Sequence, residues 1–146
     1  SPQTPSELRL SILTTLEQFG PSAKEAIPSL IKVVSDPGFI KQMGDESRLS
    51  RCLALQTLSR LEGDFGTARK EVLNGLFFSL DDPHADVCVS AIETLATLTK
   101  GKVSPEELKE MTEKMDAVIR RESRKVVRDA AQTARDRLQP KKDKSP

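Results

Sequence analysis

The sequence predicts an all-α chain, seven helices paired into a short solenoid, and three observations predict it. Helix-start signals recur along its 146 residues, strand alternation and hairpin turns are missing, and one apolar pattern returns four times at near-constant spacing. The start signals carry a mechanism. Thr4-Pro5-Ser6-Glu7, Ser22-Ala23-Lys24-Glu25 and Ser104-Pro105-Glu106-Glu107 each fit a capping box. In that box the hydroxyl accepts an orphan N–H and the acid three residues on accepts one in return. Pro5 and Pro105 fall at the first helical position, where a missing N–H costs nothing.

The elements then follow in order. A first helix over 5–19 carries Leu8, Ile12, Leu16 and Phe19 on one stripe, widened by Leu10 and Leu13. A second spans 22–35. The third, 46–62, has Leu49, Cys52, Leu53, Leu55, Leu58 and Leu61 almost all round its axis, which predicts burial on several sides. A fourth spans 67–80. The fifth, 84–99, follows Asp82-Pro83, read as an N-cap and its proline. The sixth, 105–120, keeps an apolar period through Met111, Met115, Val118 and Ile119. The last, 123–138, has the small stripe Val126, Val127, Ala130, Ala131 and Ala134 and a polar back, as an end piece should. Gly20, Gly63 and Gly101 each follow an apolar stretch, where a C-terminal cap belongs. Connections of mostly two to five residues make neighbouring helices antiparallel.

The odd-numbered helices share a register. Leu8 to Leu16 lies over Ser50 to Leu58, over Val87 to Leu95 and over Val126 to Ala134. A threonine at 15, 57, 94 and 133 is common to all, at spacings of 42, 37 and 39 residues. Self-similarity of helix pairs at such a period is the signature of a solenoid. The second helices agree over two units. Ala26-Ile27-Pro28-Ser29-Leu30-Ile31 matches Val72-Leu73-Asn74-Gly75-Leu76-Phe77, and Asp36-Pro37 matches Asp82-Pro83.

On these residues the chain resembles the HEAT repeats, particularly the short bacterial repeats also seen in phycobilisome lyases. The segment from Gly20 to Ile31, closing on Asp36-Pro37, looks most like that family, and Arg9 and Arg51 occupy its usual first-helix arginine position. The third unit departs, lacking both the proline and the Asp-Pro ending. The resemblance implies a right-handed α-solenoid over 1–139, with repeats near 5–37, 45–82 and 83–120 and a half repeat at 121–139. Residues 140–146 are expected to form a disordered basic tail. It further implies first helices on a convex layer, second helices lining a concave face, and a binding scaffold as the usual role.

Composition narrows the function classes. With 36% hydrophobic and 31% charged residues the chain is neither disordered nor built to span a membrane. Tryptophan and tyrosine are absent, which removes the usual stacking platforms for single strands, sugars and flat cofactors. Cys52 and Cys88 have apolar neighbours and read as buried free thiols, which suits a reducing compartment such as the cytoplasm. No catalytic constellation, cofactor motif, metal-ligand spacing or small-molecule site stands out, and the lone His84 reads as a loop histidine beside a capping aspartate. The His-Glu pairs of HEAT-like hydroxylases and the aromatic residues of HEAT-like glycosylases are both missing. A place in catalysis is left only as an accessory subunit.

The expected function is therefore non-catalytic binding of another protein on the concave face. The polar positions of the second helices are the candidates: Lys24, Glu25, Ser29 and Lys32, then Lys70, Glu71, Asn74 and Phe78, with Lys109, Thr112 and Asp116 in the third unit. Phe78 stands out because Leu76 and Phe77 already supply the core contact at that turn, although the edge of the core accounts for it as well. Phe39, Ile40 and Met43 give the 38–44 loop apolar character, which fits either a binding loop or a fold-back over the preceding helix. The second reading is nucleic-acid or polyanion binding. The charge of +1 hides an uneven split, since residues 1–118 carry net −5 and residues 119–146 carry net +6. Arg120, Arg121, Arg124, Lys125 and Arg128 form the candidate patch, continued by Lys141, Lys142 and Lys144 in the tail.

Overall fold

The computed structural model describes residues 24–37, 41, 46–61, 63 and 65–138. These form six α-helices: α1 (Ile27–Ser35), α2 (Glu46–Arg60), α3 (Arg69–Ser79), α4 (Ala85–Leu98), α5 (Pro105–Arg121) and α6 (Lys125–Leu138). There is no strand among the described residues. The helix expected over 5–19, the 38–44 loop apart from Lys41, and the tail lie outside them.

Each helix begins where its local chemistry allows. Pro28 fits only the first turn of a helix, so α1 starts at Ile27 after a 3-10 turn over Lys24–Ala26, later than the expected 22. Gly66, at φ +51, lets the chain turn into the 3-10 segment Gly66–Ala68 that leads into α3. The Ser104 capping box is complete: its hydroxyl accepts the Glu107 N–H at 3.1 Å, and Glu107 accepts the Ser104 N–H at 3.1 Å. The glycine stops are different. Gly63 and Gly101 do not adopt the left-handed conformation, and α4 ends at Thr99 in a tightening turn.

α4 lies along α2 on one side and α6 on the other, α1 packs on α3, and α1–α2, α3–α4 and α5–α6 also meet. The core runs through all six helices, from Ile27 and Leu30 through Leu55, Leu58, Leu76, Ile92 and Leu95 to Met111, Met115 and Val127. The recurring threonines have a shared role. Thr57, Thr94 and Thr133 each donate to the carbonyl four residues earlier, at 2.8, 2.7 and 2.9 Å. The Thr94 hydroxyl also lies 3.1 Å from the Leu55 carbonyl, which ties α4 to α2.

Two expectations of burial need correction. Leu49 is 64% exposed and Val126 is 58% exposed, so neither belongs to the apolar contact face of its helix. No described helix packs over those sides, and the all-round apolar reading of the third predicted helix fails at its first turn. Cys88 is fully buried, as expected, whereas Cys52 is only half-buried; both are free thiols. Burial raises the pKa of each.

Candidate functional site

The expected concave-face residues of the first two units lie on or beside α1 and α3, which pack against each other. α1 turns Ile27, Leu30, Val33 and Val34 inward and leaves Glu25, Ser29 and Lys32 exposed around its start and outer face; the Lys24 side chain lies outside the described residues. α3 buries Val72, Leu73, Leu76 and Phe77 and exposes Lys70, Glu71, Asn74 and Phe78. The C-terminal turns of the two helices meet closely. The Ser79 hydroxyl donates within α3 to the Gly75 carbonyl at 3.0 Å and lies 3.4 Å from the Val34 carbonyl of α1. A Cβ on Gly75 would stand 3.3 Å from the Val34 methyl, tighter than ordinary contact.

Phe77 and Phe78 divide as their spacing suggests. Phe77 is buried at the core edge with the Lys114 ammonium 5.4 Å from its ring centroid, while Phe78 is 42% exposed. In the third unit Lys109 is exposed and Thr112 half-buried. Asp116 is drawn instead toward α6, where it accepts from Arg135 Nε at 2.7 Å.

Between α3 and the start of α5 the surface opens into a groove of about 470 Å³, lined by Lys70, Leu73, Asn74, Ser104, Glu106, Glu107 and Glu110. Arg69 Nε bridges beside it to Glu107 Oε2 at 2.8 Å, and the buried Arg69 Nη2 has no partner among the described residues. Burial pushes the Glu107 carboxyl up, but the bonds from Arg69 and Ser104 outweigh it and hold it below the usual range. A second groove of about 460 Å³ runs between α4 and α6 over Ala96, Ala130 and Ala134.

The basic end is more neutralised than its charge count implies. Arg121 pairs with Asp81, and Lys125 pairs with Asp129 at 3.1 Å. Arg124 is a structural clamp. Its Nε and Nη2 meet the two Glu122 oxygens at 2.8 and 3.1 Å, while its Nη1 donates to the Pro83 carbonyl at 2.8 Å. Arg120 and Arg128 are exposed and carry no ion pair among the described residues.

This clamp gives a pH prediction. The Arg124 guanidinium and backbone N–H hold the Glu122 carboxyl down from an ordinary 4.5 to about 2. A depressed carboxyl stabilises the fold above its unfolded value, and the contribution is lost as pH falls from about 4.5 toward 2. Because a third of the Arg124 side chain is solvent-exposed, screening leaves about 1–2 kcal/mol of the shift as stability. Urea midpoints measured at pH 7 and pH 3 are expected to fall more in the parent chain than in Glu122→Gln. Parallel losses would remove the clamp from the account of acid stability.

Sequence reasoning placed Asp82 as a cap for α4, and the structure corrects this. The N-cap is His84, with no side-chain cap bond, and Asp82 is buried against Arg51. Arg51 Nε and Nη2 donate to the two Asp82 oxygens at 2.9 and 3.1 Å, and Asp82 Oδ1 also accepts the His84 N–H at 2.9 Å. Buried deep among apolar side chains, a guanidinium claims the carboxylate before a half-exposed helix start can. The Asp82 carbonyl accepts from the Cys88 thiol at 3.0 Å, so a single residue joins α2, α4 and, through Arg124, the turn before α6. Its signal was present in the sequence as the first-helix arginine and the repeated Asp-Pro. The Arg69–Glu107 bridge joins residues 38 apart and had no local signal.

Among the described residues no group of three His, Cys, Asp or Glu side chains is placed to hold a metal ion, and no helix is long and apolar enough to cross a membrane. No family model, curated protein or solved structure matches the chain.

Proposed function

We propose that the chain is a short right-handed α-solenoid of HEAT type that binds another protein on the face formed by its second helices, without catalysis of its own. The observation that carries this reading is Phe78, a large aromatic 42% exposed on the same outer strip of α3 as Lys70, Glu71 and Asn74. An aromatic anchor ringed by polar residues is the composition of an interaction hot spot. The stacking of α2, α4 and α6 in one register supports the solenoid, because each helix pair then adds one strip to a continuous surface. The polyanion reading has less support: three of its five candidate cations, Arg121, Arg124 and Lys125, are engaged with acidic partners.

The test compares partner capture by the parent chain with capture by two sets of variants. Phe78→Ala and Asn74→Arg are expected to lower retention of the bound protein by about tenfold or more. Arg120→Gln with Arg128→Gln is expected to retain it. Binding of labelled duplex DNA that persists at about 200 mM salt and is abolished by the arginine variants would overturn the reading in favour of polyanion binding.

A further inference from the structure

We infer that the groove between α3 and the first turns of α5 takes an extended segment of a partner protein that presents a lysine or arginine beside an apolar residue. The inference rests on the protein-binding reading above and names the chemistry of the partner.

The row of second helices is uneven, and its unevenness creates the groove. α1 and α3 close on each other where Gly75 leaves no spare room against Val34. α3 and α5 make no comparable helix contact. Long side chains span the gap instead: Arg69 to Glu107 at one end, and Lys114 over Phe77 further along. The space between them is about 470 Å³, with Leu73 supplying apolar floor. That is room for side chains of a docked segment.

The charge of the lining selects the occupant. Arg69 neutralises Glu107. Glu106 and Glu110 lie four residues apart on α5, both exposed, with no ion pair among the described residues. Two like charges at that spacing repel each other across one turn. Lys114 stands four residues beyond Glu110, where a helix would pair them, yet its ammonium sits over the Phe77 ring. The two carboxylates are thus left facing the groove opposite a single lysine, Lys70. A cationic side chain between Glu106 and Glu110 relieves that repulsion, an apolar neighbour covers Leu73, and the Asn74 amide offers a donor and an acceptor to an extended backbone. An acidic segment or a nucleic-acid strand meets the same carboxylates as a like charge.

The experiment uses the full chain and three fluorescein-labelled peptides of equal length in fluorescence anisotropy. One alternates lysine with leucine, one glutamate with leucine, one serine with leucine. The lysine peptide is expected to bind at least about tenfold more tightly than the others at about 50 mM salt and to weaken as salt rises. The double variant Glu106→Gln/Glu110→Gln should lose about tenfold, Asn74→Arg should abolish binding, and Leu49→Ala, exposed on α2 and outside the groove lining, should leave it unchanged, with helical circular dichroism confirming the fold of each. Equal binding of the three peptides, or lysine-peptide binding indifferent to the double variant, overturns the assignment. If Phe78→Ala removes peptide binding and the groove variants do not, the groove fails while the wider interaction face stands. If no peptide binds, the groove fails and the capture experiment alone decides the wider reading. Sedimentation of the chain by itself supplies the remaining outcome: self-association lost in the double variant would give the groove to a second copy and overturn the assignment.

Discussion

Arg51→Ala is expected to lower the stability of the fold by about 3–5 kcal/mol, the largest effect of any single polar substitution among the described residues. The reason is the depth of the pair. The side chains of Arg51 and Asp82 are 1% and 4% exposed, and they meet through two bonds of 2.9 and 3.1 Å. Removing the guanidinium leaves a carboxylate buried without its counter-charge, holding only the His84 N–H. Desolvation that the pair had offset then appears as a net cost. The double variant Arg51→Met/Asp82→Asn separates this cost from the value of the pair. Met fills most of the arginine volume, and Asn keeps an acceptor for His84. The double variant is expected to recover most of the loss, because well-packed neutral replacements of buried ion pairs are close to neutral. Urea denaturation of the parent, Arg51→Met, Asp82→Asn and the double variant closes the cycle. An Arg51→Ala loss below about 1 kcal/mol, the size of a surface pair, would show that water reaches the site and that the pair does not lock α2 to the turn before α4.

The same residues show how far the sequence could be read. The period of Met111, Met115 and Val118 gave the buried face of α5, and all three are buried. Six of the seven expected helices are found in the described residues, each close to its expected place, because prolines and apolar period agree locally, joined by a complete cap at α5. What failed needed knowledge of neighbours. Leu49 and Val126 have the right residue type and spacing, but a pattern gives an angle around the helix and not the presence of a partner on that side. Asp82 had a correct local signal, and a guanidinium 31 residues away overrode it. The basic patch is paired locally in a way its sum does not display. Arg124 and Lys125 have acidic partners two and four residues along the chain, whereas Arg121 takes Asp81 from another turn, so net charge conceals the pairing of three of the five candidate cations. On the candidate face, exposure of Lys70, Glu71, Asn74 and Phe78 followed from helix period alone. The groove beside them did not, since it depends on the wider spacing of α3 and α5.

Leu55→Ala is the second large effect, expected at about 2–5 kcal/mol and toward the upper part of that range. Leu55 is fully buried on α2, the helix that packs against both α1 and α4. The cost of a large-to-small substitution depends on how far the surroundings collapse into the space. Here collapse is restrained, because the Thr94 hydroxyl of α4 reaches the Leu55 carbonyl at 3.1 Å and fixes the two helices at that level. The register offers a built-in contrast. The position equivalent to Leu55 is Ile92 in α4 and Ala131 in α6, so small residues at the end of the row coexist with a packed α4–α6 contact. Alanine is therefore compatible with the helix itself, and the loss at position 55 measures the cavity between α2 and its neighbours. Leu49→Ala, the same chemical change on the same helix at 64% exposure, is expected to stay within about 0.5 kcal/mol. Thermal and urea unfolding of the two variants make the comparison. Equal losses would mean that α2 is not sandwiched as described; a large loss at Leu55 alone, with one cooperative transition, fixes α2 as a helix packed between α1 and α4.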